Sequence, residues 1–235
     1  MKLIKHFDFT NTSQLDANDW TIAIGEKWPN KEIQHYVDKP TSLYFDENGL
    51  NIRAVMNDEG IYESARIHTK GKFFFQYGKI DIIAKVPKAR GSWPALWLMS
   101  NDNRYGHWPR SGEIDIMEHV GNELDKLYLC IHTEAYNHTR DEQYYHTIEP
   151  EGLSDDFNKF SLLWEEDAIT YYLNGREVGK YTRGEAGKDA SQKGWPFDHP
   201  FYLIVNQAVG GMLGGKVVDE DFPATFMVKD IKVYQ

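Results

Sequence analysis

Short runs of alternating apolar and polar residues recur along the whole chain, and the residues between them are typical of turns. In segment 78–86, Ile80, Ile82, Ala84 and Val86 would share one face of a strand, and mostly polar residues would occupy the other. Helical periodicity is weak almost everywhere. Many short, half-buried strands separated by turns predict an all-β sandwich or barrel.

The clearest hairpin joins two strand-like runs, 169–173 and 176–181, through Asn174 and Gly175. This dipeptide tolerates the positive φ angles of a type I′ turn, which connects antiparallel strands. The polar, Gly-rich stretch 183–195 is predicted to be a long surface loop. Because sandwiches of this length are commonly one unit and no internal repeat is present, we expect residues 1–235 to form a single domain.

Composition and charge narrow the range of partners. The formal net charge is −10 and the pI is near 5.4. Long-range electrostatics therefore disfavour nucleic acid, anionic membranes and strongly sulfated polymers, and a neutral ligand is favoured. Aromatic residues make up 14% of the chain, more Trp and Tyr than packing alone usually requires, so some of these rings are expected to contact a ligand.

Cysteine usage and hydropathy bear on the compartment. The single cysteine, Cys130, excludes an intramolecular disulfide, and its apolar neighbours predict a small buried side chain. No stretch approaches the apolar length that a bilayer span needs, and the first residues lack the apolar region of a signal peptide. We expect a monomer without a membrane span that works outside the cell, in the periplasm or at the cell surface, its signal peptide being absent from this chain.

Three carboxylates crowd a short, otherwise apolar segment: Glu113, Asp115 and Glu118 lie within six residues. On a regular strand Glu113 and Asp115 share a face, whereas Glu118 would point to the opposite one. One extra residue near Ile116 and Met117, a β-bulge, would correct the phase. All three acids would then face one cleft.

Two carboxyl groups about 5 to 5.5 Å apart are the arrangement of a retaining glycosidase. In this interpretation the ionised Glu113 attacks the anomeric carbon and the protonated Glu118 protonates the departing oxygen, and water then reverses both roles. Asp115 would raise the pKa of Glu118 by like-charge repulsion and orient Glu113 by sharing a proton. A solvated polar strand face is the alternative interpretation of this motif.

The acid cluster and its surroundings resemble family 16 of the glycoside hydrolases, in particular its laminarinase type, which carries E-[IL]-D-[IV]-M-E on a bulged strand. The resemblance implies an all-β, two-sheet antiparallel jelly roll with an open concave cleft that cuts glucan chains internally. It also implies that Glu113 is the nucleophile, Asp115 the helper and Glu118 the acid/base. The matching segments follow the family order: 77–80, 85–87, 93–99, 113–118, 195–198 and 208–211.

The same resemblance implies a set of substrate-binding residues. Indole faces cover the apolar surface of a glucose ring, while amide and charged groups bind its hydroxyls. Trp97 is the tryptophan most expected to belong to the core instead, and both Asn206 and Gln207 would lie near the cleft floor. The predicted substrate-binding residues are Asn30, Arg66, Trp93, Trp97, Trp108, His132 and Gln207.

The resemblance implies no cofactor for catalysis and a structural calcium ion away from the cleft. Many relatives build this site from an acidic residue near the start, a glycine carbonyl and an aspartate in the final strand. The matching positions are Asp8, Gly49 and Asp230, with Asp8 in place of the commoner glutamate. Oxygen-only ligation suits this hard cation.

Three other functions compete with a glucanase. A galactanase of the same family, such as an agarase or carrageenase, would keep the acids, although segment 32–36 resembles glucanases more. A non-catalytic carbohydrate-binding module would share the sandwich but would not need three crowded acids. A metal-dependent hydrolase would use the acids with His119, which directly follows Glu118 and should point to the other face.

The leading hypothesis is an endo-β-1,3-glucanase, with mixed-linkage β-1,3-1,4-glucan as a further substrate. A bulge in the acid strand indicates the laminarinase type and not the mixed-linkage specialists, which lack the bulge. Segments 108–111 and 137–141 do not map onto the family pattern, and they flank the cleft. Because loops on this scaffold select the polymer, the chemistry is better defined by the sequence than the substrate.

Overall fold

The alternating segments form two packed β-sheets in a computed structural model that describes residues 1–140, 142 and 144–235. Asp141, part of the unmapped segment 137–141, lies outside the described residues. In chain order the strands are β1 (Leu3–Asp8), β2 (Thr21–Ala23), β3 (His35–Tyr36), β4 (Leu43–Asp46), β5 (Gly49–Met56), β6 (Tyr62–Ser64), β7 (Arg66–His68), β8 (Phe74–Phe75), β9 (Gly78–Lys85), β10 (Ser92–Ser100), β11 (Glu113–His119), β12 (Leu127–His132), β13 (Tyr144–Ile148), β14 (Asn158–Trp164), β15 (Ala168–Leu173), β16 (Arg176–Thr182), β17 (Phe201–Val209) and β18 (Ala224–Tyr234).

The first sheet has the strand order β16-β15-β14-β9-β18-β5-β6-β3, with β1 beside β18 and β4 beside β5. The second sheet has the order β13-β12-β11-β10-β17-β7-β2, with β8 beside β17. Strands β3 and β6 run parallel, and the other described pairs are antiparallel. The predicted all-β antiparallel sandwich is confirmed. The helical segments are short: Phe9–Asn11, Pro29–Lys31, His138–Arg140, Glu185–Gly187, Asp219–Asp221 and the α-helix α1, Gly211–Gly214.

The apolar faces of the two sheets meet in one cluster of buried side chains. Ile80 and Ile82 enter it from β9, and Leu96 and Leu98 enter it from β10 of the second sheet. The alternation predicted for segment 78–86 is therefore correct. Each such side chain contributes about 1.5 to 3 kcal/mol when fully buried. This cluster therefore holds the two sheets together, and the opposite face of the second sheet is free to form a site.

Two local predictions are also confirmed. Asn174 and Gly175 have φ angles of 52° and 84° between β15 and β16, as a type I′ turn requires. The stretch 183–195 holds only the single 3-10 turn Glu185–Gly187 among its described structure.

The prediction for the single cysteine also holds: Cys130 is buried, with 5% of its surface exposed. No described helix has the length or apolar character needed to cross a membrane.

Candidate active site

β11, an interior strand of the second sheet, contains the predicted bulge. Against β10, Leu96 pairs with Met117 and Trp97 pairs with Asp115, so Ile116 has no partner of its own. Ile116 and Met117 are both buried in the core between the sheets. Two consecutive side chains on the core face are the signature of one inserted residue.

The bulge places all three acids on the face away from the core. Glu113 and Asp115 precede the inserted residue, and Glu118 follows it. On a regular strand Glu118 would point to the core, but the insertion turns it to the same face as the other two acids. On β12 these acids lie opposite cleft-face residues of their own, Asp115 opposite Cys130 and Glu118 opposite Tyr128. The clustering expected from the sequence is thus produced by the backbone.

Glu113 is held by an indole. The Nε1–H group of Trp108 donates a hydrogen bond of 2.5 Å to Glu113 Oε2. The Trp108 ring lies 6.1 Å from the His132 ring and 5.3 Å from the His138 ring, measured between centroids. This bond fixes the orientation of the Glu113 carboxyl group on the face of β11 that carries the acids.

Asp115 is the most deeply buried acid of the three, with 2% of its surface exposed. Burial raises the pKa of Asp115 well above its ordinary value, and the negative charge of Glu113 and a hydrogen bond to that side chain raise it further. A neutral Asp115 would donate this hydrogen bond to Glu113. In that form a single proton on Asp115 would bridge the two side chains.

Glu118 is the second acid with a displaced pKa. Burial raises the pKa of Glu118 to about 8, assisted by the charges of Asp115 and Glu113, while His132 and a hydrogen bond from Trp93 oppose the shift. The Trp93 Nε1–H donates to Glu118 Oε1 over 3.0 Å. Glu118 is protonated at neutral pH and partly exposed, so it is able to deliver a proton to a bound ligand.

Replacing Trp93 by phenylalanine tests this electrostatic balance. Trp93→Phe removes the bond that stabilises ionised Glu118, so the pKa of Glu118 should rise further, by less than about one unit. The basic limb of the kcat/KM profile should move to higher pH. Trp97→Phe is the matched control, because it removes an indole donor that does not reach Glu118; an equal movement of the limb in both variants would contradict the account.

His132 and His119 lie on different faces of the second sheet. His132 is 8% exposed, and its Nε2 lies 3.4 Å from Asp115 Oδ2. His119 faces the other way, with its Nε2 at 3.0 Å from the Leu124 carbonyl oxygen, and burial lowers its pKa to about 4. A metal centre of the three acids with His119 is therefore not formed.

A second group of predicted residues lies further along the same face. The Arg66 guanidinium lies 4.7 Å from the Trp97 ring centroid and 5.0 Å from that of Trp28. Trp97 Nε1–H donates to Asn206 Oδ1 over 2.7 Å. Trp97 is partly exposed and lies outside the core clusters, which removes the core alternative; its substrate-binding role stays a prediction. Trp93 is more buried than Trp97, with 9% of its surface exposed. Its indole N–H donates the hydrogen bond to Glu118.

The prediction for Gln207 is wrong. Its side chain is fully buried, and its Nε2–H group donates to the carbonyl oxygen of Ala224 in the first sheet over 3.0 Å. Residues alternate along β17, where Asn206 pairs with Ala95 and Gln207 pairs with Pro94. The alternation directs Asn206 to the acid face and Gln207 between the sheets.

Glu32 and Tyr36 join the site although no role was predicted for them. Asn206 Nδ2–H donates to the Tyr36 hydroxyl over 2.9 Å, and that hydroxyl lies 3.4 Å from Glu32 Oε2. Burial raises the pKa of Glu32. The signal in the sequence is the alternation of Glu32, Gln34 and Tyr36, which places polar groups on one face. Glu32 is partly exposed, whereas Tyr36 is fully buried and holds Asn206 from within the protein.

Asn30 lies at the rim of this surface, in the 3-10 turn Pro29–Lys31, with φ at 63°. Its carbonyl oxygen would be 2.9 Å from a Cβ atom on Gly211. Such an approach requires glycine at the start of α1. The turn that carries Asn30 is thereby fixed against the segment that follows β17.

The predicted calcium ligands lie close together, but their oxygens already form hydrogen bonds and ion pairs with other residues of the protein. Asp8 and Asp230 pair across β1 and β18. Asp230 contacts His6 Nε2 at 2.6 Å and Lys232 Nζ at 3.2 Å. A lysine ammonium on the carboxylate takes the place that a cation would need.

The other two predicted ligands are similarly engaged. Asp8 accepts hydrogen bonds from Thr10 and Asn11, which lower the pKa of Asp8. The carbonyl oxygen of Gly49 accepts from Asn51 Nδ2 over 3.0 Å. The residues present do not fit a calcium ion in this arrangement.

Thermal unfolding tests that conclusion. Neither a chelator nor millimolar calcium should shift the Tm by more than about 1 °C, since a ligand stabilises only a protein that binds it. Differential scanning calorimetry with and without EDTA measures the effect. A calcium-dependent rise in Tm that Asp230→Asn removes would restore the predicted site.

The sandwich, its bulged acid strand and the raised pKa of Glu118 are features of a glycoside hydrolase. The family model for glycosyl hydrolases family 16 matches residues 27–220. The chain belongs to that family.

Individual relatives span much or all of the chain. The glucan endo-1,3-beta-glucosidase A1 of Niallia circulans is 35% identical, over 100% of this chain and 38% of that protein. The keratan-sulfate endo-1,4-beta-galactosidase of Sphingobacterium multivorum is 31% identical, over 100% of this chain and 55% of that protein. The laminarinase structure from Rhodothermus marinus has a TM-score of 0.94 and 33% identity, covering 100% of this chain and 97% of that one. The chain therefore spans about half or less of the length of the first two relatives.

Proposed function

We propose that this protein is an endo-acting, retaining glycoside hydrolase that cleaves β-1,3-glucan by double displacement. One observation carries the proposal: the three acids share one face of a bulged strand, and burial raises the pKa of one of them, Glu118. Burial raises the pKa of Glu118 to about 8, and Glu113 Oε2 accepts a hydrogen bond from Trp108. A retaining mechanism needs one ionised and one protonated carboxyl group at the same bond.

Each acid takes one role in this mechanism. Glu113 attacks the anomeric carbon while Glu118 protonates the departing glycosidic oxygen. Asp115 holds Glu113 through their shared proton. In the second step Glu118, now ionised, removes a proton from water, which attacks the sugar and releases Glu113. The same covalent intermediate would serve transglycosylation.

The substrate surface follows from the side chains around the acids. Trp108 and His132 border Glu113, while Trp97, Arg66 and Asn30 extend the site along the second sheet. Flat indole and guanidinium groups suit the alternating apolar and hydroxyl surfaces of a glucan chain. The negative net charge disfavours a sulfated polymer.

The choice of glucan rests on the bulge and on the relatives. The observed bulge is the feature that the laminarinase type carries, and two of the relatives above are named for glucan endo-1,3-β cleavage or laminarin. The third acts on a galactose-containing polymer by name, so the family alone does not define the substrate. Mixed-linkage β-1,3-1,4-glucan is the further substrate of this proposal.

The proposal extends to the whole chain. A single catalytic domain over residues 1–235, acting as a monomer outside the cytoplasm, suits a substrate that is too large to enter a cell. No nucleic acid partner and no catalytic cofactor belong to this function.

Product analysis on four polymers tests the substrate. The protein is incubated with laminarin, barley mixed-linkage glucan, agarose and carrageenan, with Glu113→Gln as the inactive control. Short oligosaccharides from laminarin, and fewer or none from the galactans, are expected. Products from agarose or carrageenan alone would contradict the proposed substrate but not the proposed mechanism. No products from any of the four polymers would favour a non-catalytic binding module.

A further inference from the structure

Beneath the catalytic acids lies a group of side chains that the proposed mechanism leaves partly unused. Cys130, His132 and Asp115 each direct one ligand atom to a common point, and these three atoms lie within 4.8 Å of one another. All three residues are more than nine-tenths buried, with exposures of 5%, 8% and 2%. A thiol, an imidazole and a carboxyl group form the ligand set of many zinc sites.

The distances match the size of such an ion. Cys130 Sγ lies 3.5 Å from His132 Nε2, and that nitrogen lies 3.4 Å from Asp115 Oδ2. Tetrahedral zinc has bonds of about 2.3 Å to sulfur and about 2.0 to 2.2 Å to nitrogen and oxygen, which separate its ligand atoms by about 3.4 to 3.6 Å. The third pair, Cys130 Sγ and a carboxylate oxygen of Asp115, lies within 4.8 Å.

Weak contacts hold these ligand atoms in the free protein. Among the described residues, Asp115 Oδ2 has no hydrogen-bond partner, although it is buried. Besides His132, the Cys130 thiol contacts two backbone acceptors, the carbonyl oxygens of Tyr144 at 3.6 Å and Ile131 at 3.8 Å. Since a buried polar atom without a partner costs free energy, an ion at this point would satisfy Asp115 Oδ2 and lose little in exchange.

We propose that Cys130, His132 and Asp115 form a binding site for a soft divalent cation such as Zn²⁺ or Cd²⁺, and that its occupation inhibits the enzyme. The thiolate ligand selects such ions over Ca²⁺ and Mg²⁺. On binding, the thiol proton leaves to solvent and the sulfur coordinates the ion. Three protein ligands leave a fourth position for water or a sugar hydroxyl.

Inhibition follows from the place of the ligands and rests on the proposed function. An ion on Asp115 Oδ2 competes for the group that shares a proton with Glu113. It also fixes the imidazole of His132 and adds positive charge beside Glu118, which favours the ionised form of that acid and weakens it as a proton donor.

Cadmium binding is measured first, because it does not depend on turnover. The chain has one cysteine, so any sulfur-to-cadmium charge-transfer absorption comes from Cys130. Titration with CdCl₂ should give this ultraviolet band with one ion per chain. Cys130→Ser should lose the band and bind Cd²⁺ at least about tenfold more weakly, and Cys130→Ala is the second variant if the serine hydroxyl disturbs folding.

Inhibition is then measured on the same proteins. The wild type should lose laminarin hydrolysis over the cadmium range that produces the band, and both Cys130 variants should keep it. Absence of the band in the wild type would overturn the site, whatever the activity. Equal inhibition of the wild type and the two variants would overturn the link to Cys130. A band from a protein with no glucanase activity would support the site while the proposed function fails.

Discussion

Glu113→Gln is expected to lose laminarin hydrolysis by about 10⁴-fold or more, while the fold stays intact. The substitution keeps the shape of the side chain and removes the nucleophile, and residues that act together in a covalent step cannot replace one another. Circular dichroism and the Tm should match the wild type, because Glu113 lies on the outer face of the second sheet. Reducing-sugar release gives the loss of kcat.

Chemical rescue distinguishes loss of the nucleophile from a loss of activity caused by a disturbed fold. In Glu113→Ala, azide would enter the space of the missing carboxylate and attack the anomeric carbon, giving a glycosyl azide of inverted configuration. Glu177→Gln is the matched control, since Glu177 is an exposed glutamate on β16 of the other sheet. Turnover by Glu113→Gln close to the wild-type rate would refute the assignment.

Glu118→Gln is expected to lower kcat/KM on laminarin by about 10² to 10⁴-fold, the usual contribution of a general acid. An aryl glycoside with a good leaving group needs little protonation, so formation of the covalent intermediate from it should remain fast. A burst of the aryl alcohol followed by slow turnover is the expected time course. Equal losses on both substrates, without a burst, would contradict the acid role.

The pH profile gives an independent measure of Glu118. Because the pKa of Glu118 is raised to about 8 in the folded protein, the acid is protonated below that pH and ionised above it. The kcat/KM on laminarin should therefore fall as the pH rises through about 8. In Glu118→Gln the residual activity should lack this limb. A wild-type profile that is flat from pH 6 to 10 would contradict the raised pKa.

Much of the fold was predictable because strand alternation is a local signal. The alternation of Ile80 and Ile82 reports a strand with one buried face, and Asn174-Gly175 reports the turn that joins two strands. The order of strands in the sheets is not local. Pairs such as β9 with β18 bring together residues far apart in the chain, and the resemblance to a known family supplied that information.

The acid site was predictable to the level of the bulge, because the spacing from Glu113 to Glu118 has no other way to face one cleft. The error at Gln207 arose because the sequence does not show which face of β17 each residue occupies. Asn206 and Gln207 are adjacent and polar, so either could have faced the cleft. The pairing of Asp230 with Lys232 was also out of reach, since charges two apart on a strand share a face but need not touch. Trp93 shows the same limit: its indole N–H reaches Glu118 from a ring that is otherwise packed.

The anomeric configuration of the first product of laminarin hydrolysis tests the central claim most directly. Proton nuclear magnetic resonance, recorded before mutarotation proceeds, distinguishes the two anomers at the new reducing end. The account predicts that the β-anomer appears first, because two displacements at Glu113 restore the original configuration. Early appearance of the α-anomer would show a single displacement by water and would contradict the role of Glu113 as nucleophile.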